Sequence, residues 1–356
     1  MDKYDKDRDF MRSSTESKST KNDLAEYYEG LKNYIANIDS LRRNAYPLPV
    51  PGKTGATSIP SVQEKYLAPV IQRNGDRLCK CNRCEKTFYL SKDGMQVHED
   101  QCVFHYGRII TKRVFILRFK YFGGWNGYFN ERAYSCCGQL VGRTGCTTYK
   151  NHVFRYYGDM SSGYVTTASS ITAGIGVYAL DCEMCYTSNG MELCRITLID
   201  HNIKIICDTL VKPSGRVIDY NTRFSGVTES DMEGINVTLR DVQATLLSYI
   251  NGDTILVGHG LEHDLLVLKL IHEKIVDTAL VFPHRRGLPY KRSLKNLARD
   301  HLGRTIQSSD KIGHDSIEDA ATCIDLMKWK IKNDEWKKQL TLLKNLYFRK
   351  PINEML

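Results

Sequence analysis

The apolar run Val177-Tyr178-Ala179-Leu180 ends on Asp181-Cys182-Glu183, and this abrupt change constrains the fold more than any other feature of the 356 residues. A short apolar run of this kind suits a buried strand. Residues i and i+2 of a strand face the same side, so Asp181 and Glu183 project together from the strand's C-terminal end. Three more residues complete the pattern further along. Asp264 lies in Gly258-His259-Gly260-Leu261-Glu262-His263-Asp264-Leu265, in the first turn of a helix expected after the strand Thr254–Val257. His314 and Asp319 lie around the start of a last long helix, one turn and a residue apart. Four carboxylates without paired cations make sense if divalent metal ions hold them together, and a histidine beside them suits deprotonating a water. That is the equipment for metal-assisted phosphodiester hydrolysis. Taken singly, each acid reads as an exposed carboxylate, or as a helix N-cap for Asp264 and Asp315. Asp315 and Glu318 share the turn with Asp319 and rank below it.

The remaining pattern is that of an α/β domain. Strands are expected at Gly176–Glu183, Leu193–Asp200 and Lys204–Val211, then a helix at Leu239–Ile250, the strand Thr254–Val257 and a helix at Leu261–His272. A short strand Ile275–Asp277, a helix Ser293–Leu302 and the long helix Ser316–Lys332 complete it. Three strands followed by helix–strand alternation argue a mixed sheet covered on both faces.

Asp181-Cys182-Glu183-Met184, the segment Tyr220 to Thr228, Gly258-His259 through Asp264, and His314 to Ala320 together resemble the DEDDh 3′–5′ exonucleases. Leu288-Pro289-Tyr290-Lys291-Arg292-Ser293-Leu294 is similar to the RNA exonuclease 1 (Rex-type) branch. The resemblance is close over residues 175–332 and looser over the cysteine-rich segment before them. It implies a ribonuclease H-like mixed five-stranded sheet with helices on both faces, preceded by a small zinc-stabilised domain. It assigns Asp181, Glu183 and Asp319 to one Mg²⁺ or Mn²⁺ ion. Asp181 would bridge to a second ion supported by Asp264, and His314 would act as general base. It places Met184 and Val227 near the terminal base, Asn221 or Arg223 near the sugar and phosphates, and His259 in the substrate site. For Met184 and Val227 core packing is the equal alternative. The expected substrate is a single-stranded RNA 3′ end, shortened to nucleoside 5′-monophosphates. An RNA-binding scaffold with weak turnover and an exonuclease acting also on DNA remain the other readings. The resemblance also implies the nucleus, with the cytoplasm as the alternative, although no long basic import signal stands out.

Seven of the twelve cysteines fall between Cys79 and Cys146, interleaved with histidines. Cys81-x2-Cys84, Cys102-x2-His105, Cys136-Cys137, Cys146 and His152 supply six cysteines and two histidines, enough for two tetrahedral Cys3His zinc sites, with a single site the alternative. Cys79 and His98 are spare candidates, and which ligands share an ion is not readable from spacing. The run from Cys102 to His152 resembles cysteine- and histidine-rich (CHORD-type) zinc domains. Residues 65–155 carry 16 Lys/Arg against 6 Asp/Glu, whereas the rest of the chain carries 34 against 35. A local basic excess suits a polyanionic partner; a solvated charged surface is the bland alternative. Within this module, Lys112 to Phe122 reads as a basic and aromatic strand, part of an added hairpin, with RNA stacking the minority reading. The basic loop with His284, Arg285, Arg286, Lys291 and Arg292 would either bind phosphate or stay a flexible charged loop.

Along the chain this gives a disordered tail (1–22), an amphipathic helix with a Pro-rich linker (23–64), the Cys/His module (65–155), a Ser/Thr/Gly linker (156–174), the exonuclease-like domain (175–335) and a basic C-terminal helix and tail (336–356). The apolar stripe Leu24, Tyr27, Tyr28, Leu31, Tyr34, Ile35, Ile38 and Leu41 would pack on the chain's own domains, with a protein-partner helix the minority reading. The polar, charged N-terminus does not read as a signal peptide, and no apolar run approaches the ~20 residues that cross a bilayer. A monomer that is soluble and intracellular, not membrane-bound, is expected.

Overall fold

A computed structural model describes residues 22–59, 68–97, 100–116, 127–169, 174–307 and 313–347; the expected tail before residue 22 and the spare candidate His98 lie outside them. Residues 22–32 form helix α1, whose Tyr27, Tyr28 and Leu31 are buried in the same apolar cluster as the central sheet. Its tyrosines also anchor it, Tyr28 Oη donating to the Asp253 carbonyl at 2.7 Å. The expected single helix to Leu41 is broken at residues 33–37. There the Ala36 amide bonds the Ile275 carbonyl at 2.8 Å, drawing the backbone out of helical geometry. The chain restarts as α2 (Ile38–Arg43), with the Asn37 side chain accepting from the Ser40 amide as its N-cap. The proline segment is no extended linker either. It forms the hairpin β1 (Leu48–Val50) and β2 (Lys53–Ser58), turning at Gly52 with φ +74°.

The cysteine-rich segment builds three small antiparallel units. One is β3 (Val70–Ile71), β4 (Arg77–Lys80) and β5 (Thr87–Leu90); another pairs β6 (Cys102–Phe104) with a later strand. The expected hairpin is β7 (Ile109–Ile116) and β8 (Gly127–Tyr134), its tip outside the described residues, and β9 (Thr147–Tyr149) closes on β6. The buried core of this module is Cys79, Cys81, Phe88, Leu90, Cys102 and Phe154. Half of it is cysteine, and a core this small rarely holds a fold without staples.

The Ser/Thr/Gly segment docks where a linker is expected. Tyr157 and Tyr164 are buried, the Tyr156 carbonyl accepts from the Met191 amide at 2.8 Å, and β10 (Val165–Thr166) joins a strand of the next domain.

The large domain begins with the antiparallel strands β11 (Val177–Thr187), β12 (Gly190–Asp200) and β13 (Ile205–Leu210), then the short β14 (Val217–Asp219). Helices α3 (Thr222–Ser225) and α4 (Leu239–Tyr249) lead to β15 (Ile255–Gly258) and α5 (Glu262–Val267). Strands β16 (Leu270–Ile271) and β17 (Ile275–Asp277), then α6 (Thr278–Val281), α7 (Leu294–Leu297) with a π-helical turn Ala298–Leu302, and α8 (Ser316–Tyr347) complete it. The sheet order is β13-β12-β11-β15-β17, five strands as expected, with β14 added beside β11. β15 and β17 run parallel to β11, β12 and β14 run antiparallel to it, and β13 pairs antiparallel with β12. The strand order and directions are those of the mixed five-stranded sheet expected from the sequence. Two expected helices are altered. The one after β15 stops at Val267 because Leu270–Ile271 pair with Val165–Thr166, and the last runs unbroken to Tyr347 with no break before the tail.

Alternation along β11 sorts its side chains between two cores. Val177 and Ala179 face α8, α7 and α1; Leu180 and Cys182 face α4 and α5. Asp181 and Glu183 continue the α8-facing series, at the point where that core ends. No helix among the described residues is long and apolar enough to cross a membrane.

Because Leu31 is 0% exposed within the α8-facing core, Leu31→Ala is expected to destabilise the whole domain by about 2–5 kcal/mol. Urea unfolding measures it, and a loss below about 0.5 kcal/mol, the surface-substitution range, would mean α1 is not part of the fold.

Candidate active site

Strand β11 pairs with β15 only from Val177 to Ala179 and with β14 only at Tyr186 and Thr187, so the stretch between them, Leu180 to Cys185, has no strand partner on that side. The gap lies at the carboxyl ends of parallel strands, where α/β sheets bind ligands. The orphaned Cys182 amide donates instead to Asp264 Oδ1 at 2.9 Å. Asp264 reaches this point because α5 starts close against β11: a Cβ on Gly258 would stand 2.4 Å from Leu261 and 3.0 Å from the Leu180 carbonyl. Asp319 arrives from the first turn of α8. Its Oδ2 accepts from Gln307 Nε2 at 2.8 Å, while its Oδ1 is buried without a hydrogen-bond partner.

The four carboxylates are mutually repulsive. Burial pushes Asp181 well above the carboxylate range, helped by Asp264, then Glu183, then Asp319. Burial first, then Asp319 and Asp264, lift Glu183 to about 9. Burial lifts Asp264 to about 8 and Asp319 to about 7. Desolvation and like charge both disfavour ionised carboxylates, and a divalent cation removes both objections at once. The orphaned Asp319 Oδ1 and the all-oxygen donor set fit Mg²⁺ or Mn²⁺. Among the described residues, no three of these carboxylates bring oxygens within 4.8 Å of one another, so they are spread more widely than the cysteine–histidine clusters described below.

His314 sits just before α8, its Nδ1 3.6 Å from Asp319 Oδ2. Burial, then Lys295, lower its pKa, which keeps the imidazole neutral near pH 7. Its amide donates to the Phe224 carbonyl at 2.8 Å, and its ring meets the exposed Phe224 edge-on. Asp315 and Glu318 have structural employment: Asp315 Oδ1 caps the Ile317 and Glu318 amides, and Glu318 Oε2 accepts from the Gln307 amide.

The expected substrate residues separate. Met184 is half-buried against the α4/α5 core, and Arg223 is exposed with its guanidinium 3.4 Å from the Tyr106 ring centroid. Asn221 has a left-handed backbone (φ +57°), its amide held by Asp219 Oδ1 at 2.6 Å. Val227 is 3% exposed among Cys185 and Cys194, the core-packing alternative. His259 Nδ1 lies 2.8 Å from Thr278 Oγ1, which ties it to the start of α6. In the basic loop, Lys291 pairs with Glu262 and Arg292 with Asp300, so neither is a free phosphate ligand; His284, Arg285 and Arg286 lie in the same loop.

Sequence reading missed Gln307, Phe224 and the contact of two glycines. A Cβ on Gly313 (φ +83°) would stand 2.1 Å from the Gly226 Cα, so the segment bearing His314 lies directly on the loop after α3. The glycines were visible signals; Gln307 and Phe224 had none.

The eight expected sulfur and nitrogen ligands fall into two groups, Cys81, Cys84, Cys102 with His152, and His105 with Cys136, Cys137, Cys146. Within each, the ligand atoms all lie within 4.8 Å of one another, which resolves the pairing that spacing left open. In the first, Cys84 Sγ is 3.2 Å from His152 Nδ1, and the Cys102 hydrogen bond draws the Cys81 thiol down to about 4. In the second, His105 turns Nδ1 toward the Cys137 and Cys136 sulfurs (3.4 and 3.7 Å), and its Nε2 lies 3.2 Å from the Arg143 carbonyl. A hydrogen bond on the far ring nitrogen, of that kind, orients a metal-ligating imidazole. Cys79 stands outside both groups, its thiol pushed up to about 12 by burial.

Residues 178–327 match the family model RNase_T, described as an exonuclease. The human RNA exonuclease 1 homolog is 44% identical over 314 residues, 87% of this chain and 24% of that protein. RNA exonuclease 3 of Schizosaccharomyces pombe is 36% identical over 267 residues, 73% of this chain and 45% of that protein. The chain thus spans less than half the length of these relatives. Among solved structures, the Neurospora crassa Pan2 catalytic unit is similar with a TM-score of 0.42 and 25% identity, covering 51% of this chain and 31% of that one.

Without cations, folding raises the pKa values of Asp319, Asp264 and Glu183 to about 7, 8 and 9, so the folded chain holds more protons than the unfolded one. Site stability is therefore highest below the unfolded carboxyl values of about 4 and falls as pH rises through 7 to 9. Thermal melts should show Mn²⁺ raising Tm far more at pH 8 than at pH 5. Asp181→Asn should raise the metal-free Tm at pH 8 and weaken the Mn²⁺ response; an equal Mn²⁺ effect at both pH values would refute this electrostatic account.

Proposed function

Because residues 178–327 belong to the exonuclease family and the chain is related to RNA exonuclease 1 proteins over most of its length, we propose that it removes nucleotides stepwise from the 3′ end of single-stranded RNA. The observation that carries this reading is the convergence of Asp181, Glu183, Asp264 and Asp319 beside a neutral His314 at the open end of β11. Two divalent cations held by these four carboxylates would supply positive charge to the phosphodiester as negative charge develops on it. His314 takes the proton from the attacking water, which its lowered pKa allows at neutral pH. The water oxygen bonds to phosphorus as the bond to the upstream 3′-oxygen breaks. A nucleoside 5′-monophosphate leaves and the RNA is one residue shorter.

Substrate contacts follow from exposure. Met184 would lie against the terminal base, Asn221 and Arg223 would meet the sugar–phosphate chain, and exposed Phe224 beside His314 offers a stacking surface. Val227 would support the loop from within, and His259, held beside Thr278, would line the substrate site. The buried stripe of α1 packs in the chain's own core, and the enzyme would act as a monomer. Each cysteine–histidine group would hold one structural Zn²⁺, since thiolates and an oriented imidazole suit that ion and neither group leaves an open position.

Labelled single-stranded RNA and DNA incubated with the chain and Mg²⁺ test the reading. Stepwise shortening of RNA from the 3′ end is expected; retained RNA binding without shortening would make the chain a scaffold, and equal shortening of DNA would remove the RNA preference. Asp181→Ala and Asp319→Asn should each lower kcat by about 10²–10³-fold or more, the scale of losing one group that stabilises transition-state charge, with RNA binding kept. Elemental analysis should find two zinc ions per chain, falling to one in Cys137→Ser; none in the intact chain would remove the zinc assignment.

A further inference from the structure

The two residues inside the Cys81-x2-Cys84 knuckle do not face solvent. Asn82 Nδ2 donates to Tyr186 Oη on β11 at 3.2 Å. Arg83 Nη1 donates to Asp219 Oδ2 at 2.5 Å, and its Nη2 is 3.5 Å from Asn221 Oδ1. The two side chains of the Arg83–Asp219 pair are only 10% and 13% exposed. The guanidinium lies over Tyr149 and Phe104 of its own module and over Tyr186 of the large domain, at 4.5, 5.3 and 5.1 Å from the ring centroids. Its own amide donates to Cys81 Sγ at 3.4 Å, so the knuckle fixes where the side chain starts. Flat cationic groups stacked and paired in this way are held to one geometry.

What Arg83 grips leads to the reaction centre in four steps. Asp219 uses its other oxygen to hold the Asn221 amide, which sets the left-handed turn that opens α3. Within α3, the Phe224 carbonyl accepts the His314 amide. Gly226, one residue past the helix, lies against Gly313. The module touches the same loop a second time through Tyr106, next to His105, whose ring lies 3.4 Å from the Arg223 guanidinium. Among the described residues, strand pairing of the β14–α3 segment with the sheet is limited to two residue pairs, Tyr186 with Asp219 and Thr187 with Val217, while Val227 just beyond it packs on Cys185 and Cys194.

We propose that Arg83 is a positioning residue for the nuclease reaction: the Cys81–Cys84 knuckle uses it to clamp the β14–α3 loop, and through that loop to set the place of His314. This rests on the reading of His314 as the base. The cysteine–histidine module is on this account a wall of the active site, not only a tether for RNA. Buried partial removal of such a pair leaves Asp219 uncompensated, and a displacement of about 1 Å at the general base is worth up to about 10²-fold in rate.

The test uses the full chain with its zinc, comparing Arg83→Met, Arg83→Lys and Asp219→Asn with the parent. Hydrogen exchange by mass spectrometry on peptides spanning 219–226 and 313–315 is the readout independent of activity. Faster exchange there is expected in Arg83→Met and Asp219→Asn, with two zinc ions retained. Single-turnover kcat should fall between about tenfold and a hundredfold, with KM for RNA changed less than threefold and partial recovery in Arg83→Lys. The double variant Arg83→Met/Asp219→Asn should be no slower than the worse single one, because both break one link. Unchanged exchange in a zinc-loaded Arg83→Met protein overturns the clamp, and so does faster exchange with an unchanged kcat. If Arg83→Met fails to fold, Asp219→Asn, which leaves the module's own residues intact, decides by the same criteria. If the parent itself shortens no RNA, the proposed function fails while the exchange arm still decides whether Arg83 clamps the loop.

Discussion

Four carboxylates facing one another at the end of a strand cannot all be charged in a recessed site without cations to share. The rest of the large domain is arranged around that conflict. Strand pairing between β11 and β15 stops at Ala179, two residues before the first acid. The freed Cys182 amide is taken by Asp264, a bond that favours the charged carboxylate and brings α5 into the site. Asp319 is steered by Gln307 on one oxygen and left bare on the other. Burial and like charge oppose ionisation of this site at neutral pH, and bound divalent cations would relieve the conflict. Binding and stability are thus the same free energy seen from two sides.

The cysteine–histidine module meets this domain at a briefly paired strand. Strand β14 pairs only briefly with β11, yet the loop after it carries the carbonyl that receives the His314 amide. Packing the knuckle residues Asn82 and Arg83 there fills a buried polar niche with satisfied partners, which fixes one geometry. A core made half of cysteine can supply such rigidity once its thiolates are bound to a metal.

Much of this was legible in the sequence because it depends on short-range pattern. The i, i+2 spacing of Asp181 and Glu183 placed both acids on one strand face, and the α8-facing side of β11 follows from alternation alone. Ile275–Asp277 is a strand of the length read from its sequence. What was not legible depends on partners far away in the chain. Leu270–Ile271 look helical until Val165–Thr166, more than a hundred residues earlier, are seen to pair with them. The first helix stops at residue 32 and the Ala36 amide finds the Ile275 carbonyl, although Asn37 followed by Asp39 and Ser40 was a capping signal open to reading. The division of eight ligands into two groups needed coordinates, since the last ligand in sequence, His152, joins the first knuckle.

The central claim is that the acids of β11, α5 and α8 jointly hold two cations beside His314. Anomalous scattering from crystals soaked with Mn²⁺ and a nucleoside 5′-monophosphate tests it most directly. The account predicts two manganese peaks roughly 3.5–4 Å apart, ligated by Asp181, Glu183, Asp264 and Asp319, with the nucleotide phosphate across them and His314 facing its open side. No manganese between Asp181 and Asp319, with the carboxylates ordered and turned apart, would contradict it.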